Sequence, residues 1–340
     1  MKAIEKYQSH FLDYLTSFNK SRNPRNLYDP VKYILEIGGK RLRPILTLMI
    51  TDCFGGDTTK ALDAALAIEV FHNFSLVHDD IMDNAPLRRN KKTVHEKWDI
   101  NTGILSGDAM LIMAYKLFES YEADKFQRLT TLFSKTALEV CEGQQYDIDF
   151  ESRFDVTIDE YIKMIEYKTA VLLASAMQMG AIIADASIDN QKKCFEFGKN
   201  LGIAFQLQDD YLDAYGDPRS FGKQVGGDII ENKKTYLYLK AMHQASDQDK
   251  LILKELYKSK LEVEDKISKV LEIFERSGAA QSTKDAIQYY TENAFLILES
   301  IEINDNKKEL VRDFGTSISS FLKLASFVHY KYHPIHHQLV

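Results

Sequence analysis

Six aspartates in two matching groups are the residues best placed to do chemistry. The stretch FHNFSLVHDDIMDNAPLRR, at 71–89, sets Asp79, Asp80 and Asp83 ahead of Arg88 and Arg89. The stretch FQLQDDYLD, at 205–213, repeats the D-D-x-x-D spacing with Asp209, Asp210 and Asp213. Offsets of three and four residues bring side chains onto one face of a helix, so each group crowds its carboxylates. Like charges so placed repel and need neutralising. Hard divalent cations suit carboxylate oxygens, Mg²⁺ foremost, and no Cys or His ligand pattern competes. Basic residues border both groups: Lys40, Arg41, Arg43, Arg88, Arg89, Lys168, Lys223, Lys233 and Lys234. An acid floor with a basic rim suits a polyanion bridged by metal, such as a diphosphate. The phosphate loop G-x-x-x-x-G-K-[ST] is absent and no activated Ser or Cys stands out. The diphosphate is therefore expected to leave, in an electrophilic reaction rather than a phosphoryl transfer.

The elements that must position these groups read as helices. Period-two alternation is rare, and apolar residues mostly recur at three and four. Helices are expected at about 4–20, 28–37 and 58–83, the last long enough to span a core and ending in the first acid group. Residues 84–103 read as a basic loop, with a helix following from Ser106 or Asp108. Further helices are expected at about 124–147, 157–184, 189–213, 234–244, 248–276, 282–302 and 306–328, with a glycine-rich loop at 214–235. The expectation is an all-α protein forming a single domain over 1–340, with a tail, HYKYHPIHHQLV, outside any helix. The tail histidines His329, His333, His336 and His337 read as surface residues. Of the 340 residues 45% are hydrophobic, enough for a large core, and no low-complexity linker divides the chain. A net charge of −7 argues against nucleic acid as a partner. The longest uncharged run, 170–184, falls short of the ~18–20 residues of a membrane span and reads as a buried helix. The 3 cysteines have no paired spacing, which fits a reducing cytoplasm.

In order along the chain, GGKRLRP (38–44), IEVFHNFSLVHDDIMD (68–83), LRR (87–89), SGDAML (106–111), EGQQYD (142–147), YKTA (167–170), FQLQDDYLD (205–213) and GKQVGGDIIENKKT (222–235) resemble the (E)-prenyl diphosphate synthase family. The similarity runs from about residue 27 to 325. It implies an isoprenoid-synthase-type helical bundle around a central active-site cavity. It implies that Asp79, Asp80, Asp83, Asp209, Asp210 and Asp213 hold three Mg²⁺ ions against an allylic diphosphate, which would be dimethylallyl, geranyl or farnesyl diphosphate. Arg88, Lys168, Thr169, Gln206, Lys223 and Lys233 would contact that diphosphate. Gly39, Lys40, Arg43, His72 and Arg89 would cradle isopentenyl diphosphate. The catalytic set so implied is Asp79, Asp80, Asp83, Arg88, Lys168, Asp209, Asp210 and Lys223. The reaction would be ionisation, attack by the isopentenyl double bond, and loss of a proton to the departed diphosphate. The loop at 216–234 would close over the site as Lys223 and Lys233 engage.

Within the resemblance, an aromatic five residues before the first aspartate shortens the product. Here that residue is Phe74, with Phe71 one turn below and Ser75 where animal-type farnesyl synthases carry a second aromatic. The two-residue insertion of bacterial-type farnesyl synthases is absent. Geranylgeranyl synthases match best, so a C20 product is expected, with C15 next. Asn90 stands where the family usually has glycine, and the usual basic C-terminus is replaced. A homodimer in the cytoplasm is the family's expectation. Two other functions remain open on sequence: a class I terpene cyclase, which would not need Lys40, Arg43, His72 and Arg89, and a non-catalytic subunit of a heteromeric synthase, which would be expected to have lost carboxylates. Gln144 and Asp147 match the family pattern without a clear role, and His78 and His95 read as structural.

Overall fold

The structure, a computed structural model, describes residues 2–216, 225–258 and 262–319. Residues 217–224 of the expected closing loop, Lys223 among them, and the histidine-bearing tail lie outside the described residues. The protein is all-α, and its helices fall into two compact units that interleave along the chain.

The first unit comprises Met1–Leu138, Leu172–Glu196 and Ser300–Val311. It holds α1 (Lys2–Phe18), α2 (Arg25–Glu36), α3 (Leu42–Cys53), α4 (Leu62–Met82), α5 (Val94–Lys97) and α6 (Ile100–Lys116). To it also belong the start of α7 (Ala123–Ser152), most of α9 (Val171–Ile183) and the start of α10 (Ile188–Tyr215). The 21 residues of α4 are its axis, buried on almost every face. Ala64, Ala65 and Ala67 are wholly buried there. A helix apolar all round must be covered all round, and small side chains let α3 and α6 approach. On α3, Thr47 and Thr51 direct their hydroxyls at the carbonyls of Ala176 and Gly180 on α9.

Between α4 and α5 the expected loop contains a two-stranded hairpin, β1 (Leu87–Arg88) and β2 (Lys91–Lys92), with Leu87 opposite Lys92. Its turn residues Arg89 and Asn90 both have positive φ, 51° and 61°. Asparagine tolerates the left-handed region better than most residues, which accounts for Asn90 closing this turn without glycine. The next helix, α6, starts earlier than expected, because the Asp99 side chain caps it by accepting from the Thr102 amide at 2.8 Å.

The second unit comprises Glu139–Val171, Phe197–Glu299 and Arg312–Val340, described to residue 319. It holds the remainder of α7 and α10, then α8 (Ile158–Ile165), α11 (Gly227–Ile230), α12 (Tyr236–Gln244), α13 (Asp247–Leu256), α14 (Val263–Arg276), nearly all of α15 (Ala279–Ser300) and the end of α16 (Asp305–Ser319). Leu207, Leu237, Leu253, Val270, Ile273 and Phe274 lie in its core. The expected helix over 157–184 is three pieces. Thr157 and Glu160 form a reciprocal capping box ahead of α8, a π-turn spans Glu166–Ala170, and α9 follows. The expected helix over 248–276 is two, α13 and α14. Extended backbone at Glu262 starts the second, and Glu264 and Asp265 suit its N-terminal turn.

Candidate functional site

In the first unit Asp79 and Asp80 occupy the last turn of α4, and Asp83 is its C-cap. Carboxylates at a helix C-terminus face its negative dipole end, which adds to their demand for cations. Asp80 is 1% exposed. Arg88, on β1, answers it: Nε lies 3.0 and 2.9 Å from the two carboxylate oxygens, and Nη2 2.8 Å from Oδ1. Burial nonetheless outweighs the arginine and holds the Asp80 pKa above its ordinary value.

The segment 38–43 lies beside this group in the same unit. Gly38 and Gly39 have φ of 97° and 133°, a region that favours glycine. A Cβ on Gly39 would fall on the Arg89 guanidinium, whose Nη1 donates to the Gly38 carbonyl. Arg43 Nη1 is 3.4 Å from His72 Nε2 on α4. Burial lowers the Arg43 pKa, Glu69 opposes this and Arg89 reinforces it. The His72 pKa falls well below its ordinary value, through burial first and then the charges of Arg43, Arg89, Arg88 and Arg41. His72 is therefore neutral at pH 7. Lys40 is exposed at the edge of the segment. A cluster with this surplus of positive charge is built to receive an anion.

Beneath the aspartates, Phe71 and Phe74 are buried, with ring centroids 5.4 Å apart. Phe71 meets Phe133 of α7 edge-on at 5.2 Å, and Phe118 and Tyr115 pack on that same ring. Phe74 meets the His78 ring at 4.8 Å, and Gly107 on α6 leaves room for that imidazole. Ser75 turns its hydroxyl back to the His72 carbonyl.

In the second unit Asp209, Asp210 and Asp213 line a cavity of about 220 Å³, together with Lys168, Thr169, Gln206 and Lys233. The π-turn places Lys168 and Thr169 side by side, and such turns are frequent at functional sites. Lys168 Nζ is 2.5 Å from Asp147 Oδ2 on α7. That contact needs Gly143, because a Cβ there would meet the Lys168 backbone. Thr169 donates to Gln206 Oε1 at 3.0 Å, and Gln206 Nε2 donates to Asp210 Oδ1 at 3.1 Å. The Tyr161 hydroxyl donates to the other Asp210 oxygen. Asp213 accepts from the Asp228 amide at 2.9 Å, at the start of α11. Burial, with Asp209 and Asp213 adding, pushes the Asp210 pKa up to about 7. Burial and then Asp210 and Asp213 push Asp228 up to about 8. Lys233 lies 3.1 Å from Glu231; its pKa rises because Glu231, Asp228 and Asp147 outweigh its burial.

The donor set fits Mg²⁺. Among the described residues no three His, Cys, Asp or Glu side chains form a closed cation cage. Mg²⁺ is typically held by one or two carboxylates plus phosphate oxygens and water, not by an all-protein cage. Burial, and after it mutual repulsion, disfavours the charged forms of Asp210 and Asp228, and a bound cation would favour them.

Several members of the site were not expected from spacing. Tyr161 and Asp228 were not singled out, and the role of Asp147 was open. Asp228 lies in the GGDII run and Asp147 ends EGQQYD, so both carried a signal within the matched motifs. Tyr161 carried none, since a tyrosine at a helical core position is indistinguishable from packing. Neither amide atom of buried Gln144 has a hydrogen-bond partner among the described residues.

The polyprenyl synthetase family model matches residues 24–274. The chain is 38% identical over 299 residues to the geranylgeranyl diphosphate synthase of Saccharolobus solfataricus, covering 87% of this chain and 90% of that one. It is 38% identical over 249 residues to the geranylfarnesyl diphosphate synthase of Natronomonas pharaonis, covering 68% and 73%. A crystal structure of a geranylgeranyl pyrophosphate synthase superposes with a TM-score of 0.90 at 52% identity, over 93% of this chain and 98% of that one. No helix among the described residues is long and apolar enough to cross a membrane.

Proposed function

Because the chain belongs to the polyprenyl synthetase family and is a prenyl-transferring enzyme, we propose that it joins isopentenyl diphosphate to an allylic diphosphate by a trans 1′-4 condensation, giving a C20 product with C15 next. The observation that carries this reading is the division of charge. The first unit offers Arg43, Arg89 and neutral His72 to an anion, whereas the second offers crowded carboxylates with Lys168 and Lys233. An elongating enzyme needs an anion pocket for the second substrate beside the metal-dependent grip on the first. A terpene cyclase has no use for the former.

Arg43, Arg89, His72 and Lys40 hold isopentenyl diphosphate. Arg88, Lys168, Thr169, Gln206, Lys223 and Lys233 hold the allylic diphosphate. Mg²⁺, when bound by the six motif aspartates, supplies charge neutralisation for the departing diphosphate. Lys168 and Lys233 add fixed positive charge where negative charge develops. The allylic C–O bond breaks and a new C–C bond forms to the isopentenyl double bond. The proton lost in re-forming a double bond goes to the released diphosphate, so no side-chain base is required. The aromatic packing around Phe71 and Phe74 keeps water from the cation.

The test is incubation with isopentenyl diphosphate and dimethylallyl, geranyl or farnesyl diphosphate, with chromatography of the product. A C20 main product is expected, and chains of C30 or more would reject the length assignment. Phe74→Ala is expected to lengthen the product, since it removes the ring that packs on Phe71 and His78. A homodimer is proposed as the working assembly. On α6, Ile100, Leu105 and Ile112 are more than half exposed, apolar area that a second copy would cover; light scattering reads the mass.

A further inference from the structure

The segment GGKRLRP carries three cations, Lys40, Arg41 and Arg43, and Arg41 differs from the other two. It is 6% exposed and its backbone is left-handed, with φ of 50°. An L residue other than Asn or Asp is rarely found there, so surrounding contacts must hold it. Arg41 Nη1 donates to Glu69 Oε1 on α4, and Nη2 donates to the Leu35 carbonyl near the end of α2. Glu69 also accepts from Asn73 Nδ2 at 3.0 Å, and that same amide donates to the Glu69 carbonyl at 2.7 Å. The Arg41 guanidinium is thus engaged inside the fold by Glu69 and Leu35, while its charge is still felt at His72.

We propose that the Arg41–Glu69 pair is a positioning device for the isopentenyl diphosphate pocket, an inference that rests on the function proposed above. Three geometric facts carry it. First, Arg41 lies between the two ends of the pocket segment, Gly38, which receives Arg89, and Arg43, which meets His72. Second, Glu69 and His72 are three residues apart on α4, so they share a face of that helix. The residue that anchors the segment and the residue that Arg43 meets are thereby tied to one stretch of α4. Third, the anchor is an ion pair whose arginine reaches two elements at once. A planar guanidinium does this with donors held in a fixed fork, whereas an ammonium presents rotatable donors from a single nitrogen.

Pocket and anchor divide the labour. Arg43 and Arg89 keep their charges for the diphosphate, and Glu69 keeps Arg41 from competing for it. A buried ion pair is weak evidence for stability, since a well-packed apolar pair of similar volume often replaces it without loss. This separates positioning from mere support. The double variant Arg41→Met/Glu69→Leu removes both charges together and leaves no unpaired ion in the core.

The experiment is steady-state kinetics of the full-length enzyme with each substrate varied in turn, alongside thermal melting. In the double variant we expect KM for isopentenyl diphosphate to rise about tenfold, a change of ~1.4 kcal/mol in binding. KM for the allylic diphosphate should stay within about twofold, because uniform loss of one substrate's binding raises its KM alone. Arg41→Lys, which keeps the charge but not the fork, should raise the same KM to an intermediate value. If KM for isopentenyl diphosphate is unchanged in both variants, or both KM values rise together, the inference is overturned. If the double variant does not fold, Arg41→Lys decides by the same split between substrates. A wild-type enzyme that forms no longer prenyl diphosphate would remove the proposed function and this inference with it. A wild-type enzyme that elongates normally while the variants fail the split removes the inference alone.

Discussion

Asp80 and Asp210 hold the same place in two copies of one motif, each buried near the C-terminal end of a long helix, and they are neutralised in different ways. Asp80 is gripped by a guanidinium, Arg88, through three contacts of 2.8 to 3.0 Å. Asp210 is held by neutral groups, the Tyr161 hydroxyl and the Gln206 amide, in a cavity it shares with Asp209, Asp213 and Asp228. Burial raises the pKa of both; Arg88 offsets it at Asp80, and among the described residues hydrogen bonds from Tyr161 and Gln206 offset it at Asp210. Spacing sets how many carboxylates share a face. Their neighbours determine how much further positive charge the group demands. Among the described residues Asp80 carries a direct ion pair and Asp210 carries hydrogen bonds from neutral groups, so Asp210 should depend more on metal.

Asp210→Asn tests this most severely. The amide oxygen can still accept from Tyr161, while the amide nitrogen would face Gln206 Nε2, so the change removes the charge and one acceptor. Loss of a group that supports the departing diphosphate should lower kcat by about 10²–10³, with more Mg²⁺ needed for half-maximal rate. A loss under about tenfold, smaller than typical for such a group, would break the contrast, because it would make the less compensated carboxylate the less important one.

Stability sharpens the same contrast. Arg88→Met leaves Asp80 buried without its cation. Breaking a buried pair costs ~3–5 kcal/mol. The Arg88 side chain is 26% exposed, so about 2–3 kcal/mol is expected after allowing for solvent screening. Tyr161→Phe removes one hydrogen bond from Asp210 and leaves Gln206 in place, at a cost of about 1–2 kcal/mol. Urea unfolding of the two variants in chelator gives the comparison directly. A larger loss for Tyr161→Phe would mean that the hydroxyl, and not the arginine, is the stronger counterweight.

How much of this was legible in the sequence follows the same division. The all-α class and the end of α4 at the first acid group were readable, because long apolar runs at helical spacing leave few alternatives. The aspartates and the bordering basics stood out because charge beside apolar helix is conspicuous. Breaks set by backbone conformation were harder. The π-turn at Glu166–Ala170 interrupts a run whose apolar pattern reads as one helix. The hairpin at Leu87–Lys92 rests on positive φ at Arg89 and Asn90, and arginine gives no hint of that. Hardest were the partners. Tyr161 with Asp210 are 49 residues apart and Arg41 with Glu69 are 28 apart, so tertiary folding alone joins them.

The weakest expected signal separates the two regions by pH. His72 sits among arginines of the first unit, and among the described residues no histidine lines the cavity of the second. Its pKa lies well below the ordinary value of 6.5, because burial and then Arg43, Arg89 and Arg88 penalise the imidazolium. In the unfolded chain the same ring titrates near 6.5. Below that pH the unfolded state therefore binds a proton that the folded state refuses, and stability falls as pH falls. The contribution is fully present above about pH 7.5 and erodes as pH drops through 6.5 toward the depressed folded value. Between pH 6.5 and 5.5 it amounts to about 1 kcal/mol. His72→Gln keeps a neutral hydrogen-bonding side chain and has no such titration. Urea unfolding of wild type and His72→Gln at the two pH values isolates the term from every other ionisation in the chain. The wild type should lose about 1 kcal/mol more than the variant over this interval. Equal losses would mean that His72 titrates in the folded protein as it does in the unfolded chain, and that the arginines of the first region do not disfavour its charge.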